Sequence, residues 1–481
     1  MTTNPSASNQ DPTLHYAYFG GPRDGLKTGD LPAVLSGQKL TRMVTRVPLS
    51  QPHQFSLYAV YECTSETQIN GFWQFHFRGL EGPNGEKLNA VSPDHADTER
   101  TQESTHALHR SPNLSVLVHS ATEGLVKRHS GPATWESKVR GLMLGLALGD
   151  AIGSHRAVPR SGSLAAGAAS QLAAWTAEGL LRYATRYGGT SIAGSTWNDS
   201  IRYAYHRWAA IRGVRPDSGA GDPHLVAEFR GWLQSVPAML VKRGHSPSME
   251  RAIATGNPSG HDSCRPVIKG IPIAVYAGAK GFTHCSPSEA GEFARGVAEI
   301  THGNARVGAS AAFVVRIAVH CLRAESSFAE VMRAAMVGGL EPELGRAIED
   351  AIKRARSGPK DVDTIARISP DDTSVSVLAG AVFTVLAFPD WQQTREALDF
   401  ARRAPDGDGV AAVVGAFLGA LHGYEVFPTE ALSRLELGWA MDRLAVDLAL
   451  EAKDNQVPEG GWKEGGGPWK EPWWDAKYPG V

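Results

Sequence analysis

The stretch Gly141-Leu-Met-Leu-Gly145-Leu-Ala-Leu-Gly149-Asp150-Ala-Ile-Gly153 decides the fold of this chain. Its glycines repeat at every fourth position of an apolar run, and residues four apart lie on the same face of an α-helix. The pattern therefore predicts a helix with a smooth glycine stripe that a second helix can approach closely. Asp150 stands at the end of the stripe, where it would either face a buried crevice or form a hydrogen bond at the helix end.

Composition narrows the class of protein. With 481 residues the chain is too long for one ordinary domain and long enough to bury a large core. The net charge of −2 gives no basic surface that would indicate nucleic-acid binding. The four cysteines, Cys63, Cys264, Cys285 and Cys321, are far apart and lack the Cys-x-x-Cys spacing, which predicts reduced thiols rather than disulfides or a zinc site.

The hydropathy pattern indicates where in the cell the protein is located. The first residues are polar and lack the basic and apolar regions of a signal peptide. A membrane-spanning helix needs about 18 or more apolar residues, and the longest candidate, Ala309 to Leu322, contains Arg316 and His320. The sequence therefore predicts a cytoplasmic protein without a membrane segment.

The N-terminal part of the chain has the pattern of β-structure. Apolar residues alternate with polar or small ones over Phe55–Tyr61 and Trp73–Phe77, as in half-buried strands. We therefore expect a polar tail over 1–13, a small antiparallel β domain over 14–90, and a linker over 91–133, where polar residues dominate.

The rest of the chain predicts a mainly α protein. Apolar residues recur at helical spacing between 134 and 452, and nothing there alternates for long enough to form a strand, so we expect one large all-α domain. Residues 453–481 form a Gly/Trp-rich C-terminal tail whose glycines and prolines disfavour regular structure. Because exposed tryptophan is costly, the tail should dock on its own protein or on a partner.

Four further motifs follow the glycine-striped helix in order. They are the helical segment Gln171–Arg182, the segment Ser263-Cys-Arg265, the motif Ile300-Thr-His-Gly303, and Asp406-Gly-Asp-Gly409 before an apolar helix. Between 136 and 452 this series resembles the ADP-ribosylglycohydrolase family. The resemblance implies an all-α domain with two adjacent Mg²⁺ or Mn²⁺ ions, held by carboxylates and hydroxyls, that bind the distal ribose of ADP-ribose and activate a water to cleave the bond at its anomeric carbon.

The resemblance also implies site residues and partners. Asp150, Ser263, Arg265 and His302 match positions that bind substrate, and Asp406 and Asp408 match metal ligands; no catalytic residue is assigned. The partner would be an ADP-ribose-like small molecule or an ADP-ribosylated macromolecule. From the residues alone, Arg265 could form a structural ion pair, His302 could be a packed histidine at a helix start, and the two aspartates could interact with a helix dipole.

Three departures from the family pattern concern metal ligands. The family's Thr-Asp-Asp-Thr motif is replaced by Gly167-Ala-Ala-Ser170, the glutamate after the first helix by Ala157, and the hydroxyl residue after the second aspartate by Gly409. Alanine has no lone pair to offer a cation. A displaced motif at Asp371–Thr373 is better explained as the N-cap of a helix that begins near Thr373.

The sequence leaves three hypotheses for function. The first is a catalytically impaired member of the family that binds an ADP-ribose-like ligand, or a protein partner through the β domain or the Trp-rich tail. The second is an active metal-dependent hydrolase that removes ADP-ribose from a modified substrate with an incomplete metal site at Asp406 and Asp408. The third is a structural module of a larger assembly.

Overall fold

The computed structural model describes the backbone of an N-terminal set of strands and residues 133–155, 162–187, 196–214, 232–244, 247–279, 285–324, 327–454 and 477–478. The chain divides into two compact units, Met1–Thr122 and Glu123–Val481. The predicted tail over 1–13 and nearly all of the linker over 91–133 lie outside the described residues, as does Ala157.

The first unit contains a sheet in the order β2-β1-β5-β4-β3, with β6 beside β5. The β1–β5 pair is parallel and the others are antiparallel, whereas the sequence predicted a small antiparallel β domain. The parallel pair needs a long crossover, and β2 to β4 lie between its two strands in sequence. A folded β domain over 14–90 stays a prediction. The strands are β1 (Leu14–Phe19), β2 (Lys27–Leu31), β3 (Val44–Pro48), β4 (Tyr58–Cys63), β5 (Trp73–Glu81) and β6 (Lys87–Leu88).

The second unit is all α in its described residues, apart from two isolated bridges, and this confirms the predicted all-α fold class. Short 3₁₀ helices lie at Trp232–Ser235, Ile271–Ile273, Trp391–Gln393 and Tyr424–Val426. The α-helices are α1 (Trp135–Gly153), α2 (Ala168–Tyr187), α3 (Thr196–Ile211), α4 (Pro237–Leu240), α5 (Pro247–Thr255), α6 (Arg265–Ile268), α7 (Ala274–Gly278), α8 (Pro287–Glu299), α9 (Ala305–Arg323), α10 (Phe328–Ala335), α11 (Pro342–Ser357), α12 (Val362–Ile368), α13 (Ser374–Ala387), α14 (Thr394–Ala401), α15 (Gly407–His422), α16 (Thr429–Arg434) and α17 (Gly438–Asp454).

The glycine stripe of α1 packs against a second glycine stripe on α15. A Cβ atom at Gly145 would lie 2.1 Å from the carbonyl oxygen of Gly415, and one at Gly141 would lie 2.2 Å from that of Gly419. Such distances are far below van der Waals contact, so only glycine permits this approach. The close helix contact predicted from the spacing is therefore present.

The two helices run antiparallel, because the contacts pair early residues of α1 with late residues of α15. At the far end a Cβ atom at Gly153 would lie 2.3 Å from the carbonyl oxygen of Gly407. This end of α1 carries Asp150, and the adjoining start of α15 carries Asp406 and Asp408. The glycine contact thus brings together carboxylates that are far apart in sequence.

A continuous apolar core surrounds this helix pair. Its largest fully buried side chains include Trp175 of α2, Trp208 of α3, Phe313 of α9 and Phe417 of α15. By length and composition α9 could cross a membrane, but 72% of its most apolar window is buried inside the protein. Core helices of globular proteins have the same properties.

Candidate functional site

The carboxylate of Asp150 caps the N-terminus of α2. Its Oδ2 accepts hydrogen bonds from the backbone N–H of Gly167 at 2.8 Å, the N–H of Ser170 at 3.2 Å and the Ser170 hydroxyl at 2.5 Å. Asp150 is 2% exposed. Burial raises its pKa to about 6, the Ser170 hydroxyl opposes this, and the nearby charge of Asp408 adds to the rise. The structure thus shows the helix-end hydrogen bonder, and a role in substrate binding stays a prediction.

The segment that replaces the family's metal motif is shaped around Asp150. A Cβ atom at Gly167 would lie 2.7 Å from Oδ1 of Asp150, so glycine lets this segment close over the carboxylate. Ala168 and Ala169 carry no oxygen, and the hydroxyl of Ser170 is bonded to Asp150. The oxygen donors that this position would give a cation are absent or already engaged.

Asp406 and Cys264 form a buried contact at the start of α15. The Sγ–H of Cys264 donates to Oδ2 of Asp406 at 3.1 Å. Burial and the neighbouring Asp408 raise the pKa of Asp406 above its ordinary value. Burial and the Asp406 charge raise the pKa of the Cys264 thiol, so the cysteine stays a neutral donor. The sequence reasoning missed Cys264, although it lies between Ser263 and Arg265, which were both singled out.

The glycine at position 409 is explained by the same contact. A Cβ atom at Gly409 would lie 2.2 Å from Oδ2 of Asp406 and 2.9 Å from Sγ of Cys264. A threonine or serine there would have to displace both groups. The loss of the family's hydroxyl ligand and the Cys264–Asp406 hydrogen bond are therefore coupled.

Arg265 lies close to several acidic groups. Burial lowers its pKa, but the charges of Cys264, Asp408, Asp406 and Asp372 outweigh this and raise the pKa overall. Arg265 forms no ion pair within 4 Å in the part of the chain that the structure describes. Ser263, immediately before Cys264, is 6% exposed.

Asp262 caps the neighbouring helix α13. Its Oδ1 accepts from the backbone N–H of Ser374 at 2.9 Å. The sequence assigned this cap to Asp371 or Asp372, and that assignment is wrong: Oδ1 of Asp371 instead accepts from the N–H of Thr373 at 3.1 Å and from its hydroxyl at 2.6 Å. Capping by a residue distant in sequence has no local signal.

His302 is buried as a neutral imidazole. It is 1% exposed, and burial, with smaller effects of Lys269 and His261, lowers its pKa to about 3. Within the described residues neither ring nitrogen has a hydrogen-bond partner. The preceding Thr301 accepts a hydrogen bond from Nζ of the buried Lys269 at 2.6 Å. Two unpartnered ring nitrogens leave capacity to bind a polar group.

The residues present do not fit the family's pair of metal ions. Two carboxylates, Asp406 and Asp408, remain at the expected positions, but Asp406 is bonded to a thiol and Asp150 to a helix N-terminus. Among the described residues no group of three or more His, Cys, Asp or Glu side chains could hold a metal ion. A dinuclear site recruits more oxygen ligands than remain here.

A separate cavity of about 770 Å³ borders α1 and is lined by none of the predicted site residues. Leu148 and Ile152 of α1 contribute to its wall. These residues lie on the face of α1 opposite Asp150, because positions two apart on a helix are separated by roughly 200°. The cavity and the carboxylates are therefore separate features.

Comparison with known proteins gives one matching family model and a similar solved structure. The model of the ADP-ribosylglycohydrolase family matches residues 131–458, well over half of the chain. A solved structure described as an ADP-ribosylglycohydrolase-related protein complex is similar at 19% sequence identity and a TM-score of 0.45, over 66% of this chain and 99% of that chain. No curated protein matches the sequence.

Proposed function

Because this chain belongs to the ADP-ribosylglycohydrolase family, we propose that it binds an ADP-ribose-like ligand and has lost the family's two-metal hydrolysis. The observation that carries this proposal is the hydrogen bonding of Asp150. Its carboxylate caps α2 through Gly167 and Ser170, at the position where the family's metal motif would stand. A carboxylate engaged in this way, beside two alanines, leaves no room for a dinuclear centre.

Two groups support retention of binding. The imidazole of His302 is neutral and has both ring nitrogens unpartnered in the described part of the chain. Arg265 keeps a charged guanidinium that forms no close ion pair there. A ribose hydroxyl suits the first group and a phosphate oxygen the second.

We also propose a cytoplasmic location, because the free cysteines Cys264, Cys285 and Cys321 are all buried thiols.

Calorimetric titration with ADP-ribose, with and without Mg²⁺, tests this proposal. We expect binding of equal strength in both conditions. Arg265→Gln should weaken it by about tenfold or more, since a hydrogen bond to a charged group contributes about 1.5–3 kcal/mol. Arg333→Gln is the matched control, because the Arg333 side chain is 74% exposed on α10, and it should leave the affinity unchanged.

A turnover assay on an ADP-ribosylated protein separates the proposal from the active-hydrolase alternative. Release of ADP-ribose that requires Mg²⁺ and is lost in Asp406→Asn would establish that alternative. Absence of ADP-ribose binding in both conditions would instead favour a protein partner or a structural role. The first result would refute the proposed loss of hydrolysis, and the second would refute the proposed binding of ADP-ribose.

A further inference from the structure

The cavity on the face of α1 opposite Asp150 has an apolar floor. Its volume of about 770 Å³ lies within the range of roughly 300–1,000 Å³ that small-molecule sites occupy. Leu148 of α1 and Leu398 of α14 line it, and so do the rings of Phe388 and Phe400, whose centroids are 5.3 Å apart. We call these four side chains, which are buried or half-buried, the floor. The apolar part of a small molecule would leave water on contact with it.

Arginines dominate the rim of the same cavity. Among the described residues that line it, the positive side chains are Arg395, Arg402, Arg403 and Arg434. Three carboxylates lie alongside them, so the rim carries an excess of one positive charge. Arg395 and Arg403 are exposed, which places this charge at the mouth of the cavity, above the apolar floor.

Two of the rim carboxylates leave positive charge uncompensated. Asp399 is shared by two arginines: its Oδ1 accepts from Nε of Arg402 at 2.8 Å, and its Oδ2 accepts from the guanidinium of Arg403 at 2.5 Å. Glu430 lies 3.5 Å from the guanidinium of Arg434, but its side chain is 75% exposed. An exposed pair of this kind contributes little.

Arg395 is the rim arginine that is available to a ligand. It forms no ion pair with any residue that the structure describes. The third carboxylate, that of the adjacent Glu396, lies in the first turn of α14, where the helix dipole favours a negative charge. The planar guanidinium of Arg395 can therefore offer its donors to a carboxylate or phosphate group.

We propose that this cavity binds a small amphipathic anion, with its apolar body on the floor and its carboxylate or other anionic group on Arg395. A fatty-acid-like molecule has this chemistry, because it combines a long apolar chain with a single carboxylate. ADP-ribose has no such apolar body, and the residues that would bind it lie elsewhere. The cavity is thus a second ligand site, and its occupation does not depend on the proposed function.

Calorimetric titration of the full chain with decanoate tests this inference. Decylammonium is the comparison probe, because it has the same chain length and the opposite charge. We expect decanoate to bind at one site per chain and decylammonium not to bind measurably, since the arginine rim repels a cation. An apolar cavity without a charged rim would bind both probes.

Two variants locate the site. Arg395→Gln should weaken the binding of decanoate about tenfold, because it removes a charge-assisted hydrogen bond. Arg251→Gln is the matched control, since Arg251 is also an exposed helix arginine without an ion pair to described residues, and it does not line the cavity. Ala431→Phe should abolish binding, because the half-buried Ala431 lines the cavity on α16 and an added ring would fill it.

Each other outcome overturns the proposal. Equal binding of the two probes would mean that the rim does not select an anion, and no binding of decanoate would mean that the protein itself closes the cavity. Equal affinities of Arg395→Gln and Arg251→Gln would place decanoate at another part of the surface. Binding that weakens as the protein concentration rises would mean that a second copy of the chain occupies the cavity. If Ala431→Phe does not fold by circular dichroism, the comparison of the two exposed arginines decides alone.

Discussion

The substitution Gly145→Ala tests the central helix contact. The added Cβ atom would lie 2.1 Å from the carbonyl oxygen of Gly415 and 2.6 Å from the Phe427 ring. Since real Cβ atoms essentially never approach closer than 3.0 Å, helix α15 would have to withdraw by about 0.9 Å. Both nearest atoms belong to the α15 backbone, which cannot turn away as a flexible side chain could.

The expected change in the free energy of unfolding for Gly145→Ala is the sum of two opposing contributions. Overpacking of a tight core typically costs about 1–3 kcal/mol, and more where backbone must move. Alanine gains about 1 kcal/mol over glycine in helix propensity. Because the contact is backbone against backbone along two helices, we place the strain at about 3 kcal/mol and the net loss of stability at about 2 kcal/mol. Because the unfolding entropy grows with chain length, in a domain of about 320 residues that corresponds to a fall in Tm of about 3 °C.

The same substitution at Gly345 is the matched control. Gly345 lies in helix α11, and a Cβ atom there would meet the Leu340 side chain at 3.6 Å, an ordinary contact. Gly345→Ala should therefore raise the free energy of unfolding by about 0.5–1 kcal/mol. Thermal unfolding followed by circular dichroism measures both variants. If Gly145→Ala is neutral or stabilising like the control, the glycine stripe is not the reason for the close approach.

Three further predictions concern buried charges. Nζ of Lys477 donates to Oδ2 of the buried Asp447. Lys477→Met leaves this carboxylate poorly compensated and should lower the free energy of unfolding by about 3 kcal/mol in urea titration; an unchanged midpoint would show that the Lys477–Asp447 ion pair contributes little. Burial raises the pKa of Asp150 from 3.8 to about 6, so the folded state binds the carboxyl proton more tightly than the unfolded state does. The stability that this protonation contributes is lost as the pH rises from about 4 to about 6. Relative to Asp150→Asn, the unmodified protein should therefore lose roughly 3 kcal/mol over that range and no more above it, and parallel Tm–pH curves would contradict this. Millimolar Mg²⁺ should leave Tm unchanged, and a rise that disappears in Asp406→Asn or Asp408→Asn would show that a metal site persists.

The fold was predictable where a single residue spacing carried the information. Glycines at every fourth position of α1 can be explained only by a close helix neighbour, and the structure supplies one. The partner could have been found from sequence too, because Gly407, Gly415 and Gly419 lie at multiples of four on α15. Antiparallel matching of the two stripes was the missing step.

The site was less predictable, because its contacts join distant segments. Local sequence offered two roles for Asp150, and its bond to Gly167 depends on how a later loop folds back. The cap that Asp262 provides for Ser374 and the thiol that Cys264 donates to Asp406 are likewise long-range. Such pairs depend on how distant segments pack together, and neither the type of a residue nor its spacing from its neighbours reveals this packing.

The pairing of α1 with α15 also constrains the order of events during synthesis. Helix α1 leaves the ribosome early, but the Gly415 face that it needs is translated only near the end of the domain. Contacts of such long sequence separation form slowly, and the unsatisfied apolar face of α1 invites aggregation until then. The folding of this domain can therefore be completed only after α15 has been made.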